Sequence, residues 1–174
     1  FSIYAFQELK DALNDIENLR FIFTSPTFIK DTTKKEKREF YIPKLSRERN
    51  LYGSDFEIKL RNQMTQKAIA KECADWIRNK VQFKSINSCE QMGGFFFFFY
   101  EEDTFAYIPF NEFTTTELGC ERGNNVYQMV NRMSLPVSKE YLKIFDELWN
   151  DSEKFKDVTD TVIENIENVY KENR

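Results

Sequence analysis

The sequence predicts an α/β fold in which a mixed sheet is flanked by helices. Two patterns carry this prediction. Near the amino terminus, a strand-like run, a helix-spaced run and a second strand-like run follow one another within about 25 residues, which is how an α/β sheet begins. The last third of the chain repeats apolar residues at helical spacing, which predicts helices that cover a sheet.

The first elements follow from the spacing of apolar residues. Residues 1–6 are apolar and aromatic, and they predict a strand that leads into a helix. The helix is indicated by four apolar residues at helical spacing and is expected to end at Asn18; these residues are Leu9, Ala12, Leu13 and Ile16. The short apolar run at residues 19–24 predicts a buried strand.

The middle of the chain combines a polar excursion with a long helix. Residues 27–53 are rich in charged residues and threonine, which predicts a long surface segment with one weak strand at residues 39–42. Ser54 and Glu57 match a capping box for the next helix, in which an interruption is expected at residues 63–65. Its apolar stripe consists of Ile69, Cys73, Trp76 and Ile77. The strand expected next has Val81, Phe83 and Ser85 on one face.

The run of five phenylalanines at residues 95–99, followed by Tyr100, predicts a strand in the middle of a two-sided core. Residues 101–103 form a charged turn, and residues 105–109 predict the second strand of a hairpin. Three helical stripes follow, the first of them short. Their members are Val126, Met129, Val130 and Met133, then Tyr141, Leu142, Phe145, Leu148 and Trp149, and finally Val158, Val162, Ile163, Ile166, Val169 and Tyr170.

Composition excludes several kinds of chemistry. The chain has 174 residues and no histidine, which excludes Ser-His-Asp hydrolysis, a Cys-His dyad, His-ligated zinc and a phosphohistidine intermediate. Cys73, Cys89 and Cys120 are odd in number and scattered, which favours reduced thiols and a cytoplasmic location over a disulfide framework. The sequence contains neither a signal peptide nor an apolar run of the roughly 18 residues that a membrane span needs, so no membrane partner is expected.

Charge is distributed unevenly along the chain. Residues 30–84 carry fifteen basic and eight acidic side chains, a net charge of +7, whereas residues 140–174 carry five and ten, a net charge of −5. A basic segment can face a phosphate backbone through simple electrostatics, and the alternative is that these charges only solvate a surface. The five glycines build no nucleotide cradle, so any ATP-binding site lies outside this segment and no cofactor is expected within it.

The stretch from Cys89 to Asn125 is the most informative about function. It contains the residues Cys-Glu-Gln-Met-Gly-Gly before the predicted hairpin and Phe-Thr-Thr-Thr-Glu-Leu-Gly after it. This arrangement resembles the catalytic hairpin of the phospholipase D-like superfamily. Residues 9–13 and 141–151 further resemble the N-terminal domain of bacterial helicases of the Swi/Snf type, in which a phospholipase D-like domain precedes an ATP-driven motor. The resemblance covers most of residues 1–155.

The resemblance implies a phospholipase D-like sandwich with a degenerate catalytic motif. Active members use a histidine nucleophile together with a lysine and an asparagine that hold the phosphate. Here Cys89 stands at the histidine position and Gln91 at the lysine position, while Asn111 and Thr114 keep groups that can donate a hydrogen bond to a phosphate. A thiol does not replace the acid and base roles of an imidazole, and without lysine the phosphate loses its main counter-charge. We therefore expect this segment to be non-catalytic, although the resembled full-length protein is a helicase that hydrolyses ATP.

The same resemblance implies partners and domain boundaries. Residues 1–150 would form the phospholipase D-like domain, and residues 151–174 a helical extension or linker toward a downstream motor, since the chain reads as a piece of a longer protein. The domain would bind DNA and could form a homodimer. The basic residues expected to contact nucleic acid are Lys34, Lys35, Lys37, Arg38, Lys44, Arg47 and Arg49. Two alternatives stay open: a phosphodiesterase or nuclease that acts on DNA, and a module that docks only to proteins.

Overall fold

The computed structural model describes residues 1–23, 63–87, 93–120 and 129–171. These ranges contain five helices and six strands, which form two separate three-stranded sheets. The helices are α1 (Ile3–Glu8), α2 (Lys10–Asp15), α3 (Gln63–Lys80), α4 (Val137–Trp149) and α5 (Thr159–Lys171). The strands are β1 (Leu19–Phe23), β2 (Val81–Ile86), β3 (Phe96–Tyr100), β4 (Asp103–Ile108), β5 (Asn131–Met133) and β6 (Phe155–Asp157).

The first sheet is mixed, with the strand order β1-β2-β6. Strands β1 and β2 are parallel, so that Leu19 pairs with Val81, whereas β6 runs antiparallel to β2 and pairs Asp157 with Lys84. Helices α3 and α5 pack against each other and against β2. The mixed α/β class expected from the sequence is therefore confirmed.

The main core lies between this sheet and its helices. All four residues of the predicted α3 stripe are buried, namely Ile69, Cys73, Trp76 and Ile77. The Trp76 Nε1–H donates to the carbonyl oxygen of Leu13 at 3.0 Å, which ties α3 to the end of α2. Residues 63–65, where the sequence predicts an interruption, form the first turn of the described helix α3, and the residues before them lie outside the described ranges.

The amino terminus differs from its prediction. The strand predicted at residues 1–6 is wrong, because α1 begins at Ile3 and Ser2 caps it. The Ser2 hydroxyl accepts hydrogen bonds from the backbone N–H groups of Tyr4 (3.2 Å) and Ala5 (3.4 Å). A serine that satisfies first-turn amides favours a helix start over an extended segment. Helix α2 ends at Asp15, three residues before the predicted end at Asn18.

The second sheet is antiparallel, with the order β3-β4-β5. The predicted hairpin is confirmed, and Phe98 lies opposite Phe105 in it. The short helix predicted over Met129, Val130 and Met133 is wrong in the described part, which contains strand β5 instead. Strand β5 pairs Arg132 with Tyr107, and the hydrogen bonds of this ladder outweigh a weak helical pattern. Val126 lies outside the described residues.

The phenylalanine strand is covered on one face only. The rings of Phe95 and Phe97 contact Phe145 of α4, with centroid distances of 6.4 and 5.2 Å. On the adjacent strand, Thr104 and Ala106 are buried on this same side of the sheet. No residue of β3 is buried, so the predicted two-sided core is wrong. Helix α4 covers one face of the hairpin, whereas on the other face the described ring contacts of Phe96 and Phe98 are with Phe105, Tyr107 and Phe110.

The last two predicted helices, α4 and α5, are present. The segment after residue 150 also supplies β6 to the first sheet and buried side chains to the main core, including Val162 and Ile166. Arg78 of α3 forms an ion pair with Glu167 of α5. The division into a domain at residues 1–150 and an extension stays a prediction. The described part of that extension nevertheless packs within the same core as α3.

Candidate functional site

The segment that follows β4 contains two of the predicted site residues and is joined to the start of β3. The backbone N–H of Phe110 donates to the carbonyl oxygen of Gly94 at 3.0 Å. The Gly94 N–H in turn donates to the Oδ1 atom of Asn111 at 3.4 Å. The Asn111 N–H donates to Oε1 of Glu117 at 3.1 Å. The exposed Asn111 side chain therefore stands beside the entry to β3, where the resemblance expects an asparagine near the motif.

Thr114 lies below the surface and stabilises a turn. Its side chain is only 2% exposed, and its Oγ1 atom accepts from the backbone N–H of Glu117 at 3.2 Å. The carbonyl oxygen of Thr114 accepts from the N–H of Leu118 at 3.0 Å. A hydroxyl so deeply buried cannot contact a phosphate in solvent without a rearrangement of the turn. The structure thus gives Thr114 a structural role.

Contacts with the amino terminus hold this turn in place. The ring of Phe113 stacks on Phe1 with a centroid distance of 5.4 Å and an interplanar angle of 10°. The N–H of Ser2 donates to the carbonyl oxygen of Phe113 at 2.9 Å. Phe1 also contacts Phe83 of β2 edge to face, with a centroid distance of 5.3 Å. These contacts place the turn that begins at Phe113 against the main core.

The other predicted site residues lie outside the described residues. They are Cys89, Gln91, Lys34, Lys35, Lys37, Arg38, Lys44, Arg47 and Arg49. The structure therefore places Asn111 and Thr114 in one turn and does not describe the rest of the predicted site. Within the described ranges, no group of three or more His, Cys, Asp or Glu side chains is arranged to hold a metal ion.

Two cations of the first sheet, Arg20 of β1 and Lys84 of β2, contact helix α4. The guanidinium of Arg20 forms an ion pair with Asp146 at 2.8 Å and lies 4.9 Å from the ring centroid of Phe145. The Lys84 Nζ atom lies 4.6 Å from the ring centroid of Trp149 and donates to the Trp149 carbonyl oxygen at 2.7 Å. These cations attach α4 to strands β1 and β2 of the first sheet, and their contacts therefore join the two sheets.

The described thiols differ in accessibility. Burial raises the pKa of the Cys73 thiol well above its usual range. Cys73 is consequently a protonated core residue and not a nucleophile. Cys120, which directly follows the Phe-Thr-Thr-Thr-Glu-Leu-Gly sequence at residues 113–119, is exposed.

The open face of the second sheet is a feature that the sequence analysis missed. It presents Phe96 and Phe98 of β3, Phe105 and Tyr107 of β4, and Arg132 of β5. We call these five residues the aromatic face. In the sequence, aromatic residues alternate with smaller ones in β4, whereas β3 is aromatic throughout, and the assumption of a two-sided core concealed the face that both strands leave open.

An open groove of about 660 Å³ lies on the opposite side of the hairpin, next to α4. Lysines and carboxylates both line it, including Lys139, Lys143, Asp146 and Glu147. The mixed charge indicates no single class of ligand, and neither of the described site residues, Asn111 and Thr114, lines the groove.

Comparison with known proteins adds no further assignment. No family model, no curated protein and no solved structure matches the chain. Among the described helices, none is both long enough and apolar enough to cross a bilayer.

Proposed function

We propose that the chain is a non-catalytic phospholipase D-like accessory domain of an ATP-dependent DNA helicase, and that it contributes nucleic-acid binding. One observation carries the binding part of this proposal: residues 30–84 hold a net charge of +7 within a chain of net charge −4. Such a segregated charge attracts a phosphate backbone even when no residue recognises a base. The phospholipase D-like sandwich and the helicase motor rest on the sequence resemblance.

The described part of the motif supports a non-catalytic role. The chain has no imidazole, and Thr114 is buried while its hydroxyl accepts a backbone hydrogen bond. Asn111 stays exposed, but its amide oxygen accepts from Gly94. A phosphoryl transfer site needs a nucleophile together with charged groups that stabilise the transferred group. The two groups hydrogen-bonded to Asn111 are the neutral N–H of Gly94 and the carboxylate of Glu117, and that carboxylate would repel a phosphate.

Salt-dependent DNA binding tests the proposal directly. Fluorescence anisotropy with a labelled duplex should show binding at low salt that weakens steeply as salt increases, because cations are released from the phosphates. Replacing Lys34, Lys35 and Lys37 with glutamate should lower the affinity. It should also reduce the slope of the logarithm of the affinity against the logarithm of the salt concentration by about 1 for each lost phosphate contact. The matched control is the triple substitution of Lys139, Lys154 and Lys156 with glutamate, which reverses the same number of charges at exposed positions elsewhere.

Three outcomes distinguish the alternatives. A chain that binds no DNA at low salt contradicts the proposal. Turnover of a phosphodiester model substrate by the purified chain, lost on substitution of Cys89 or Asn111, would favour the nuclease. Self-association or protein binding that is unaffected by DNA in sedimentation would favour the docking module.

A further inference from the structure

The two faces of the β3–β4 hairpin differ in what they contact. Phe95 and Phe97 point toward α4, whereas Phe96 and Phe98 point to the opposite side, since successive side chains of a strand alternate. On that side the rings contact one another and Phe110, with a Phe96–Phe110 centroid distance of 5.3 Å. None of the five residues of the aromatic face is buried, and Phe98 is 36% exposed.

The rings of the aromatic face form a continuous surface. Phe98 stacks on Tyr107 with a centroid distance of 5.8 Å and an interplanar angle of 15°, and Phe105 lies 5.4 Å from Phe98. The guanidinium of Arg132 lies 5.3 Å from the ring centroid of Phe105. Rings fixed in a sheet offer flat π surfaces on which a planar ligand can stack at a small entropic cost.

Charge restricts the kind of ligand that fits this surface. Arg132 is exposed, and no carboxylate among the described residues forms an ion pair with it. Among the acidic residues at the hairpin turn, Asp103 shares the face of Phe105 and Tyr107. Its backbone lies four residues along β4 from Tyr107, the residue that pairs with Arg132, a separation of about 13 Å at the rise of a β-strand. The Arg132 guanidinium lies over Phe105, two residues from Asp103, and the two side chains form no ion pair. The surface is thus complementary to a ligand with planar rings and an anionic group directed toward Arg132.

We propose that the aromatic face stacks unpaired bases of single-stranded nucleic acid, while Arg132 contacts an adjacent phosphate. Bases in a duplex are covered by their neighbours above and below, so they cannot stack on protein rings without being unstacked first. The inference rests on the proposed nucleic-acid binding and adds to it the structure of the nucleic acid. The basic segment attracts either form of DNA, and the aromatic face selects the single strand.

The test uses the complete chain with a labelled oligothymidine of about 15 nucleotides and a duplex of equal length. The substitution Phe98→Ala should weaken single-strand binding by roughly 5- to 150-fold, which is the range for the loss of one stacked base, and should change duplex binding by less than about 2-fold. Phe99→Ala is the matched control, because Phe99 is more exposed (58%) but lies on the helix side of the same strand. It should leave both affinities unchanged.

Two further variants separate stacking from folding and from charge. Phe98→Leu keeps an apolar side chain in the sheet but removes the π surface, and it should weaken single-strand binding nearly as much as Phe98→Ala does. Arg132→Gln should reduce the slope of the logarithm of the single-strand affinity against the logarithm of salt by about 0.7. Circular dichroism and thermal unfolding verify that each variant is folded.

The results separate failure of this inference from failure of the proposed function. The inference alone would be overturned if Phe98→Ala and Phe99→Ala changed the single-strand affinity equally. It would also be overturned if the chain bound duplex DNA but Phe98→Leu left the single-strand affinity unchanged. A third outcome would overturn the inference as well: Phe98→Ala changes the sedimentation of the protein but leaves its single-strand affinity unchanged. That result would assign the aromatic face to contact with a second copy of the chain. Absence of binding to either DNA at low salt would contradict the proposed function itself.

Discussion

A Cβ atom added to Gly94 would lie 2.0 Å from the carbonyl oxygen of Phe110. The same two residues share a backbone hydrogen bond of 3.0 Å from the Phe110 N–H to the Gly94 carbonyl oxygen. The chain entering β3 and the chain leaving β4 therefore approach so closely that only glycine fits at position 94. This approach extends the hairpin beyond its ladder and fixes the position of Asn111.

Substitution of Gly94 should consequently destabilise the protein. Gly94→Ala would force apart two backbone segments, and we expect the free energy of unfolding to fall by about 3 kcal/mol. Urea denaturation followed by circular dichroism measures this change. Gly93→Ala is the control, since a Cβ at Gly93 has no atom within 4 Å, and it should change stability by less than about 1 kcal/mol. Equal effects at both positions would contradict the close approach.

The helix after residue 157 should be essential for stability. Ile166 is fully buried in the main core, and Ile166→Ala should lower the free energy of unfolding by about 2–5 kcal/mol because it leaves a cavity. Ile144→Ala makes the same chemical change at a side chain of α4 that is 45% exposed, and it should have a much smaller effect. If Ile166→Ala is neutral, α5 is a separable extension and not part of the core.

The contact of Arg20 with α4 should show a salt-dependent coupling. Both side chains of the Arg20–Asp146 pair are partly exposed, so a double-mutant cycle with Arg20→Met and Asp146→Asn should give a coupling energy of about 0.2–1 kcal/mol. The coupling should decrease in about 1 M salt, where charges are screened within about 3 Å. The control pair, Asp75 and Arg78, is more exposed and should show weaker coupling. Equal coupling at low and high salt would rule out the ion pair as its source.

The carboxylate of Asp157 should make stability depend on pH. Partial burial alone would raise its pKa, but a hydrogen bond from Gln82, hydrogen bonds from Thr159 and the charge of Lys84 outweigh burial and lower it. A carboxylate whose pKa is lower in the folded state stabilises the fold above its unfolded pKa of about 3.9, and this contribution is lost as the pH falls through the folded pKa.

The variant Asp157→Asn tests this dependence. The free energy of unfolding of this variant should be lower than that of the unsubstituted protein by less than about 1 kcal/mol, because the carboxylate is largely exposed. This deficit should be constant from about pH 7 to pH 5. The deficit should shrink below about pH 4. Urea denaturation at several pH values measures it, with Glu153→Gln as a control that removes a charge from an exposed residue. A deficit that grows at low pH would contradict the lowered pKa.

Local periodicity accounts for the parts of the fold that the sequence predicted well. The α3 stripe repeats at about 3.6 residues per turn, and its members Cys73 and Ile77 are fully buried as expected. The alternation of Val81, Phe83 and Ser85 likewise identified the buried face of β2. In both elements the side chains that face the core are determined by the element's own geometry.

The errors arose where distant contacts decide the outcome. Strand β3 has aromatic residues on both faces, and only the packing of α4, through Tyr141 and Phe145, determines which face is covered. Strand β5 has three residues, and its state depends on pairing with β4. The burial of Thr114 depends on Phe113 stacking on Phe1, more than 100 positions away along the chain. Sequence spacing carries no information about such contacts.

The order of strands in the first sheet has a consequence for synthesis on the ribosome. Strands β3 and β4 are neighbours along the chain and can pair as soon as both have emerged, whereas β1 must wait for β2 and β2 must wait for β6 at residues 155–157. A nascent chain that has not yet emerged to residue 155 therefore exposes one edge of β2 and the apolar surface that α5 later covers. The acquisition of β6 and α5 ends this exposure, so the emergence of residues 155–171 is the step at which this part of the newly made chain becomes protected from aggregation.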